Sequence, residues 1–75
     1  MKIETIAIET ETIQLDHFLK WAGILPSGGA VKPLIEAGRI RHNGEVETAR
    51  RRKLSDGDII EIEGLGAWKV ACRKD

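Results

Sequence analysis

With 75 residues, of which 41% are hydrophobic and 32% charged, the chain suits one small folded domain and is too apolar for a disordered tail. It has no run of about 18 apolar residues, which excludes a membrane-spanning helix, and its one cysteine, Cys72, excludes an internal disulfide. The formal net charge is +0, yet residues 39–53 hold six Arg or Lys against two Glu, whereas residues 1–16 hold one Lys against four acids.

The first predicted element is a strand over Ile3–Thr10. Polar and β-branched residues alternate there, with Ile6 and Ile8 on one face, which is typical of a half-buried strand at the edge of a sheet. Glu4 and the absence of an apolar stretch around it predict that this segment is not a secretory signal. A single thiol suits a reducing compartment, so the sequence favours a cytoplasmic protein.

A first helix is predicted next, with Thr12 as its N-cap, Ile13 as its first residue and Gly23 as its end. Four apolar residues spaced at i, i+3, i+4 and i+7 would share its buried face: Leu15, Phe18, Leu19 and Ala22. Asp16 in this helix is expected to bind either a hairpin arginine or local backbone N–H groups.

The second predicted helix has Ser27 as its N-cap and Gly38 as a left-handed residue just past its end. Its apolar stripe is Val31, Leu34 and Ile35. Pro33 falls about six residues after the cap, where its ring crowds the carbonyl four residues back. Because that carbonyl belongs to Gly29, we expect the helix to bend or to start late.

Residues 39–46 carry the strongest hairpin signal, an Asn43-Gly44 pair between strand-forming residues. A two-residue turn would set Ile40 opposite Glu47, whereas a three-residue loop would set Ile40 opposite Val46. Apolar cross-strand pairing favours the three-residue loop. In either register, Arg39 and Arg41 point to the face opposite Ile40.

Two further strands complete the prediction. A polar, basic and flexible connection over Thr48–Lys53 leads to a turn at Asp56-Gly57-Asp58 and a strand with Ile60 and Ile62 on one face; a last strand runs from Ala67 to Cys72. The predicted fold class is α+β, with two short helices packed on a small, mainly antiparallel sheet that has an added N-terminal strand.

Motifs spread over residues 13–62 agree in order and spacing with one known family. The matching residues are Leu15-Asp16, Leu19, Gly23, Ser27, Ile35, the run Gly38-Arg39-Ile40-Arg41-His42-Asn43-Gly44, and Gly57-Asp58-Ile59. This pattern resembles the S-four-type RNA-binding domain, whose core is the alpha-L RNA-binding motif. Ser27-Gly28-Gly29 and the run Arg50–Lys53 resemble its short stand-alone members of the YaaA and YbcJ type, so we expect residues 1–75 to form one such domain.

The resemblance implies a non-catalytic protein that binds structured RNA, often ribosomal or transfer RNA, through the paired helices and the hairpin. Many family members carry Arg or Lys just after the serine of the second helix, where this chain has Gly28 and Gly29. Pro33 also replaces an ordinary helix former. Both departures move the predicted RNA contact towards residues 39–53.

The candidate RNA-binding residues are mostly cations, because guanidinium groups make planar, two-point contacts with phosphate. They are Lys32, Arg39, Arg41, His42, Asn43, Arg50, Arg51, Arg52 and Lys53. His42 could donate to phosphate when protonated or stack on a base, whereas turn geometry accounts for most of Asn43. The alternative interpretation of the stretch is a solvated basic loop that keeps the protein soluble.

Other features favour a binding protein over an enzyme. No pair of acids suits acid–base catalysis, and neither His17 nor His42 has cysteines or acids at ligand spacing, so we expect no catalytic residue, metal or cofactor. Trp21 and Trp68 could stack on unpaired bases, but a place in the core or at its rim is the prediction. Gly28-Gly29 could seat a phosphate of RNA.

The sequence is also compatible with a second function. The acidic residues 1–16 and an exposed edge strand would also suit a protein-interaction adaptor in a ribosome- or replication-associated assembly. RNA is the predicted partner in the first case, and ribosomal or replication proteins in the second. In both cases we expect a monomer that does not bind membranes.

Overall fold

The computed structural model describes residues 2–72. Within these residues the helices and strands are β1 (Ile3–Ile8), β2 (Thr12–Gln14), α1 (Leu15–Trp21), α2 (Val31–Glu36), β3 (Ile40–His42), β4 (Glu45–Val46), β5 (Lys53–Ser55), β6 (Ile59–Ile62) and β7 (Gly66–Cys72). Five strands form one sheet in the order β1-β7-β6-β3-β4, in which only the β1–β7 pair is parallel, and β2 pairs with β5 apart from it. The predicted α+β class is confirmed.

The helices cover one face of the five-stranded sheet. The fully buried side chains come from both layers: Ile8, Leu15, Phe18, Leu19, Val31, Ile40, Leu54, Ile60, Ile62 and Val70. Alternate strand positions such as Thr5, Arg41 and Lys69 are exposed, because successive side chains of a strand point to opposite faces. One face of the sheet therefore carries the core, and the other faces solvent.

Strand β1 lies at the edge of the sheet, as its alternation predicted. Ile8 is buried and Ile6 is half-buried against the core. Its partner could not be read from the sequence: β1 runs parallel to β7, with Ile3 opposite Ala67. This pairing joins the two ends of the described chain.

The predicted start of the first helix is wrong. Residues 12–14 form β2, in which Ile13 lies opposite Leu54 of β5, and the helix begins at Leu15 without a side-chain cap. Its first backbone N–H groups donate to the chain before β5, from Leu15 to the carbonyl of Arg52 at 2.8 Å and from Asp16 to that of Arg50 at 3.0 Å. These bonds satisfy the first two N–H groups of the helix without a side chain at the capping position.

The predicted hairpin register is also wrong. Asn43 and Gly44 form a two-residue turn with φ of 53° and 88°, the left-handed conformations that a type I′ turn requires. Ile40 therefore faces Glu47, whose N–H donates to the Ile40 carbonyl at 2.8 Å, and Val46 is 53% exposed. Ile40 finds its apolar neighbour on its other side, where Ile62 of β6 lies opposite it.

Helix α2 starts late, as Pro33 suggested. Residues Gly28–Ala30 form a 3-10 turn after Ser27, and α2 begins at Val31, so that Pro33 is its third residue. At that position a backbone N–H has no partner within the helix, which makes proline acceptable. The Ser27 side chain makes no capping hydrogen bond, contrary to the role predicted for it.

The end of α2 yields a first test. Gly38 has the predicted left-handed backbone, with φ +70°, so Gly38→Ala should destabilise the fold by about 1 kcal/mol or more. Gly29→Ala is the matched control, because φ there is ordinary and an added Cβ would meet only the Ser27 hydroxyl at 3.8 Å. Urea unfolding of both variants measures the difference; equal stabilities would contradict a strained Gly38.

Candidate nucleic-acid interface

The segment 47–53, called the basic loop below, is organised by the carboxylate at its start. Glu47 is 4% exposed. Its Oε2 accepts the N–H groups of Thr48 and Ala49, both at 3.0 Å, and its Oε1 accepts Nε of Arg52 at 3.0 Å. One buried side chain thus fixes the backbone at the start of the loop and the arginine near its end.

The basic loop is also tied to the neighbouring elements. Its carbonyls at Arg50 and Arg52 accept the first N–H groups of α1, and Lys53 already belongs to β5, opposite Gln14. Within the loop, the N–H of Arg52 donates to the carbonyl of Ala49 at 3.1 Å. The flexible connection predicted from the sequence is therefore a loop held in one shape.

Two carboxylates in this region are held ionised by their surroundings. Burial raises the pKa of Glu47, but hydrogen bonds from Ala49 and Arg52, the charge of Arg52 and a bond from Thr48 outweigh it, so the pKa lies below its ordinary value. Burial likewise raises the pKa of Asp58, and bonds from Ser55, Asn43 and His42 outweigh that effect. Both acids therefore carry their charge well below neutral pH.

His42 and Asn43 are engaged within the protein. The His42 ring lies between the two acids, with Nδ1 3.3 Å from Oε1 of Glu47 and Nε2 3.2 Å from Oδ2 of Asp58. The Asn43 Oδ1 accepts the Ile59 N–H at 2.8 Å, and its amide nitrogen lies 3.3 Å from Oδ1 of Asp58. These contacts fasten the hairpin turn to β6, which gives both residues a structural task.

The hairpin arginines lie on the solvent face of the sheet. Arg41 is opposite Glu61 of β6, and Nη2 of Arg39 donates to the carbonyl of Glu63 at 3.2 Å. Both arginines line one shallow hollow with Glu61, Glu63 and Gly64. The positive potential at this end of the sheet is therefore reduced by two neighbouring carboxylates.

The remaining predicted cations lie elsewhere. Arg51, Lys53 and Lys32 are exposed, Arg50 is half-buried, and the Arg52 side chain is 52% exposed. Arg52 contacts Glu47, which faces Ile40 and so lies on the helix side of the sheet, opposite to Arg41. The stretch that looks continuous in sequence is thus divided between two faces.

Gly28 and Asp16 lie together at the start of the second helical segment. The Asp16 carboxylate accepts the N–H of His17 at 2.9 Å, and an added Cβ at Gly28 would lie 3.7 Å from its Oδ2. Asp16 therefore binds local backbone, one of its two predicted roles. A carboxylate so close to Gly28 disfavours the phosphate seat suggested for the glycine pair.

The tryptophans divide between core and surface. Trp68 is half-buried against the core, as predicted, whereas Trp21 at the end of α1 is 56% exposed. The prediction that Trp21 lies in the core or at its rim is therefore wrong. The four-residue spacing of His17 and Trp21 was the available signal for a shared exposed side.

Fold and charge together define a small α+β domain of the kind that binds nucleic acid, with cations grouped on a preformed loop. The model of the family described as S4 domain matches residues 6–70. The chain belongs to the S4 domain family, the S-four-type RNA-binding family that its motifs resemble.

One relative extends over nearly the whole chain. The probable ribosome maturation protein RlbA of Bacillus subtilis (strain 168) is 43% identical over 65 residues, which cover 87% of this chain and 92% of that protein.

In residues 2–72 of the present chain, neither helix has the length and apolar character needed to cross a membrane.

The organising role of Glu47 can be tested by replacing one of its two acceptor oxygens. Glu47→Gln keeps the volume but places an NH2 group against either the backbone N–H groups or Arg52, so stability should fall by about 1–3 kcal/mol. Glu45→Gln, an exposed position on the same hairpin, should change stability by less than about 0.5 kcal/mol. Urea denaturation compares the two variants, and similar free energies of unfolding would contradict the organising role of Glu47.

The lowered pKa values of Glu47 and Asp58 also predict an acid dependence. Because the folded state holds these protons less tightly than the unfolded chain, the stabilisation is fully present above the ordinary values of 4.5 and 3.8 and is lost as pH falls through the lower folded values. The free energy of unfolding should fall as the pH is lowered below about 5, and it should fall less in Glu47→Gln than in the natural sequence. Parallel pH profiles for the two proteins would contradict this assignment.

Proposed function

We propose that the protein is a non-catalytic, cytoplasmic RNA-binding protein that acts on ribosomes, with structured ribosomal RNA as its ligand and transfer RNA as the other candidate. Membership of the S4 domain family supports RNA as the ligand. The name of the relative in Bacillus subtilis, a probable ribosome maturation protein, supports the ribosomal setting. The observation that carries the proposal is the basic loop, which Glu47 holds in one shape.

A preformed loop favours binding because its ordering cost is met during folding and not on contact with RNA. Arg50, Arg51 and Lys53 then present their positive charges to the phosphate backbone from a fixed main chain. The bond from Nε of Arg52 to Glu47 leaves the terminal N–H groups of an exposed guanidinium for phosphate. Arg52 can therefore stabilise the basic loop and contact a phosphate at the same time.

The proposed contact reads RNA shape more than RNA sequence. The candidate residues are rich in cations, which contact phosphates, and the two that could read base edges, His42 and Asn43, are engaged with Asp58 and β6. Lys32 on α2 and the hairpin arginines Arg39 and Arg41 are proposed as additional phosphate contacts. Their contribution should be smaller where Glu61 and Glu63 lie beside them.

A salt titration tests this proposal. If about four to six phosphates are neutralised, the logarithm of the affinity for ribosomal RNA fragments should fall with the logarithm of salt concentration with a slope of about −3 to −5. The double variant Arg50→Ala/Arg51→Ala should weaken binding to all such fragments and flatten the slope by about 1.5 to 2. Filter binding from about 50 to about 300 mM salt gives both quantities.

Arg41→Ala is the matched control, because it removes the same guanidinium from the other face of the sheet, beside Glu61. It should flatten the slope by less than half as much as the double variant does. Failure to bind RNA at the lowest salt would refute the proposal. Capture of ribosomal or replication proteins that persists after RNase treatment would point to the adaptor function instead.

A further inference from the structure

Trp21 lies on the surface of α1 although the chain has few aromatic residues with which to build a core. Phe18 on the same helix is completely buried and Trp68 is half-buried, whereas Trp21 is 56% exposed. Large aromatic side chains supply much of the burial energy in a small domain. Leaving one outside is therefore a feature that core packing does not explain.

The Trp21 ring is held in place. Its indole Nε1 donates to the carbonyl of Ala7 on β1 at 3.0 Å. Since β1 is the edge strand of the sheet, the Ala7 carbonyl would otherwise bind water. The bond fixes the aromatic ring against this strand. The exposed aromatic surface is thus oriented before any ligand arrives.

The surroundings of Trp21 are apolar and cationic. With Ile13, His17 and Lys20 it lines a shallow hollow on α1. Ile13 and His17 also line a second hollow, together with Thr10, Thr12, Gln14 and Lys53. Among the described residues, no carboxylate lines either hollow, in contrast to the hollow at Arg39 and Arg41.

The two hollows connect Trp21 with the basic loop. They share Ile13 and His17, and Lys53, which lines the second hollow, is the last residue of that loop. A chain of phosphates that contacts Lys53 would therefore continue towards His17 and Lys20. An aromatic ring beside such a cationic path is the arrangement on which unpaired bases stack.

We propose that Trp21 is a stacking site for an unpaired base of the bound RNA, with Lys53 and Lys20 contacting the phosphates on either side. The inference rests on the proposed RNA-binding function and refines it: the ligand is structured RNA that carries an unpaired nucleotide, in a bulge or loop, beside the helical part held by the basic loop. Stacking on aromatic side chains is the common way in which proteins hold such nucleotides.

The site is better suited to a nucleotide than to a protein partner. Trp21 and Ile13 are its large apolar side chains, and the basic side chains of His17, Lys20 and Lys53 line the same two hollows. A base joined to two phosphates complements both features at once. Ile3, Val46 and Leu65, the other large apolar side chains exposed among the described residues, do not line these hollows.

The test uses two RNA probes, a fully paired hairpin and the same hairpin with one purine bulged from its stem. In a Trp68→Phe background, Trp21 is the only tryptophan and its fluorescence should be quenched by the bulged RNA more than by the paired RNA. Trp21→Leu should lower affinity for the bulged probe about tenfold, a loss of about 1.4 kcal/mol that base–aromatic stacking would account for. Its affinity for the paired probe should stay the same.

Two further variants separate stacking from folding. Trp21→Phe keeps an aromatic ring but lacks the N–H group for Ala7, so it should retain most of the preference for bulged RNA. Leu65→Ala removes another side chain that is 57% exposed and should affect neither probe. Thermal unfolding of each variant confirms that the compared proteins are folded under the binding conditions.

The outcomes distinguish the inference from the function on which it rests. A preference for bulged RNA that Trp21→Leu abolishes and Trp21→Phe retains supports the stacking site. RNA binding that is equal for both probes, or unchanged in Trp21→Leu, overturns the stacking site and leaves the proposed function intact. Binding of neither probe overturns both, and capture of a protein through Trp21 in the absence of RNA also overturns the stacking site.

Discussion

The carboxylate of Glu47 is the interaction on which the rest of the structure depends. It accepts two backbone N–H groups and the Nε of Arg52 while it lies 3.3 Å from the His42 ring. A buried charge is tolerated only when it is paired and hydrogen-bonded, and Glu47 meets that condition through both neighbouring elements. The course of the basic loop and the placement of Arg52 follow from it.

The same constraint gives the molecule its uneven surface. Arg52 lies on the helix side of the sheet, where the carbonyls of the basic loop accept the first N–H groups of α1. Arg39 and Arg41 lie with Glu61 and Glu63 on the solvent side. Electrostatic binding depends on local potential and not on the formal net charge, which is +0. The protein can therefore be neutral as a whole and still present a cationic face.

Much of the fold could be predicted from the sequence, and the errors at β2, at the hairpin and at the basic loop have one cause. The edge strand with Ile6 and Ile8, the buried face of Leu15, Phe18 and Leu19, and the left-handed Gly38 follow from local patterns. The β2–β5 pair, the true register of Ile40 and the fixed shape of the basic loop depend on partners distant in sequence. Pairing Ile40 with Val46 gave the wrong hairpin register because the apolar neighbour of Ile40 is Ile62, on a strand distant in sequence. The sequence around Glu47 gave no sign that this charged side chain is buried.

The parallel pairing of β1 with β7 has a consequence for how the molecule folds. Residues 3 and 67 meet in this pair, and closing so long a loop costs entropy that local hairpins do not incur. The hairpin and the β6–β7 pair can form among near neighbours, while the edge strand must wait until residues 66–72 have emerged from synthesis. Because the acceptor of the Trp21 indole lies on β1, the aromatic ring takes up its fixed orientation only in chains that have completed this last step.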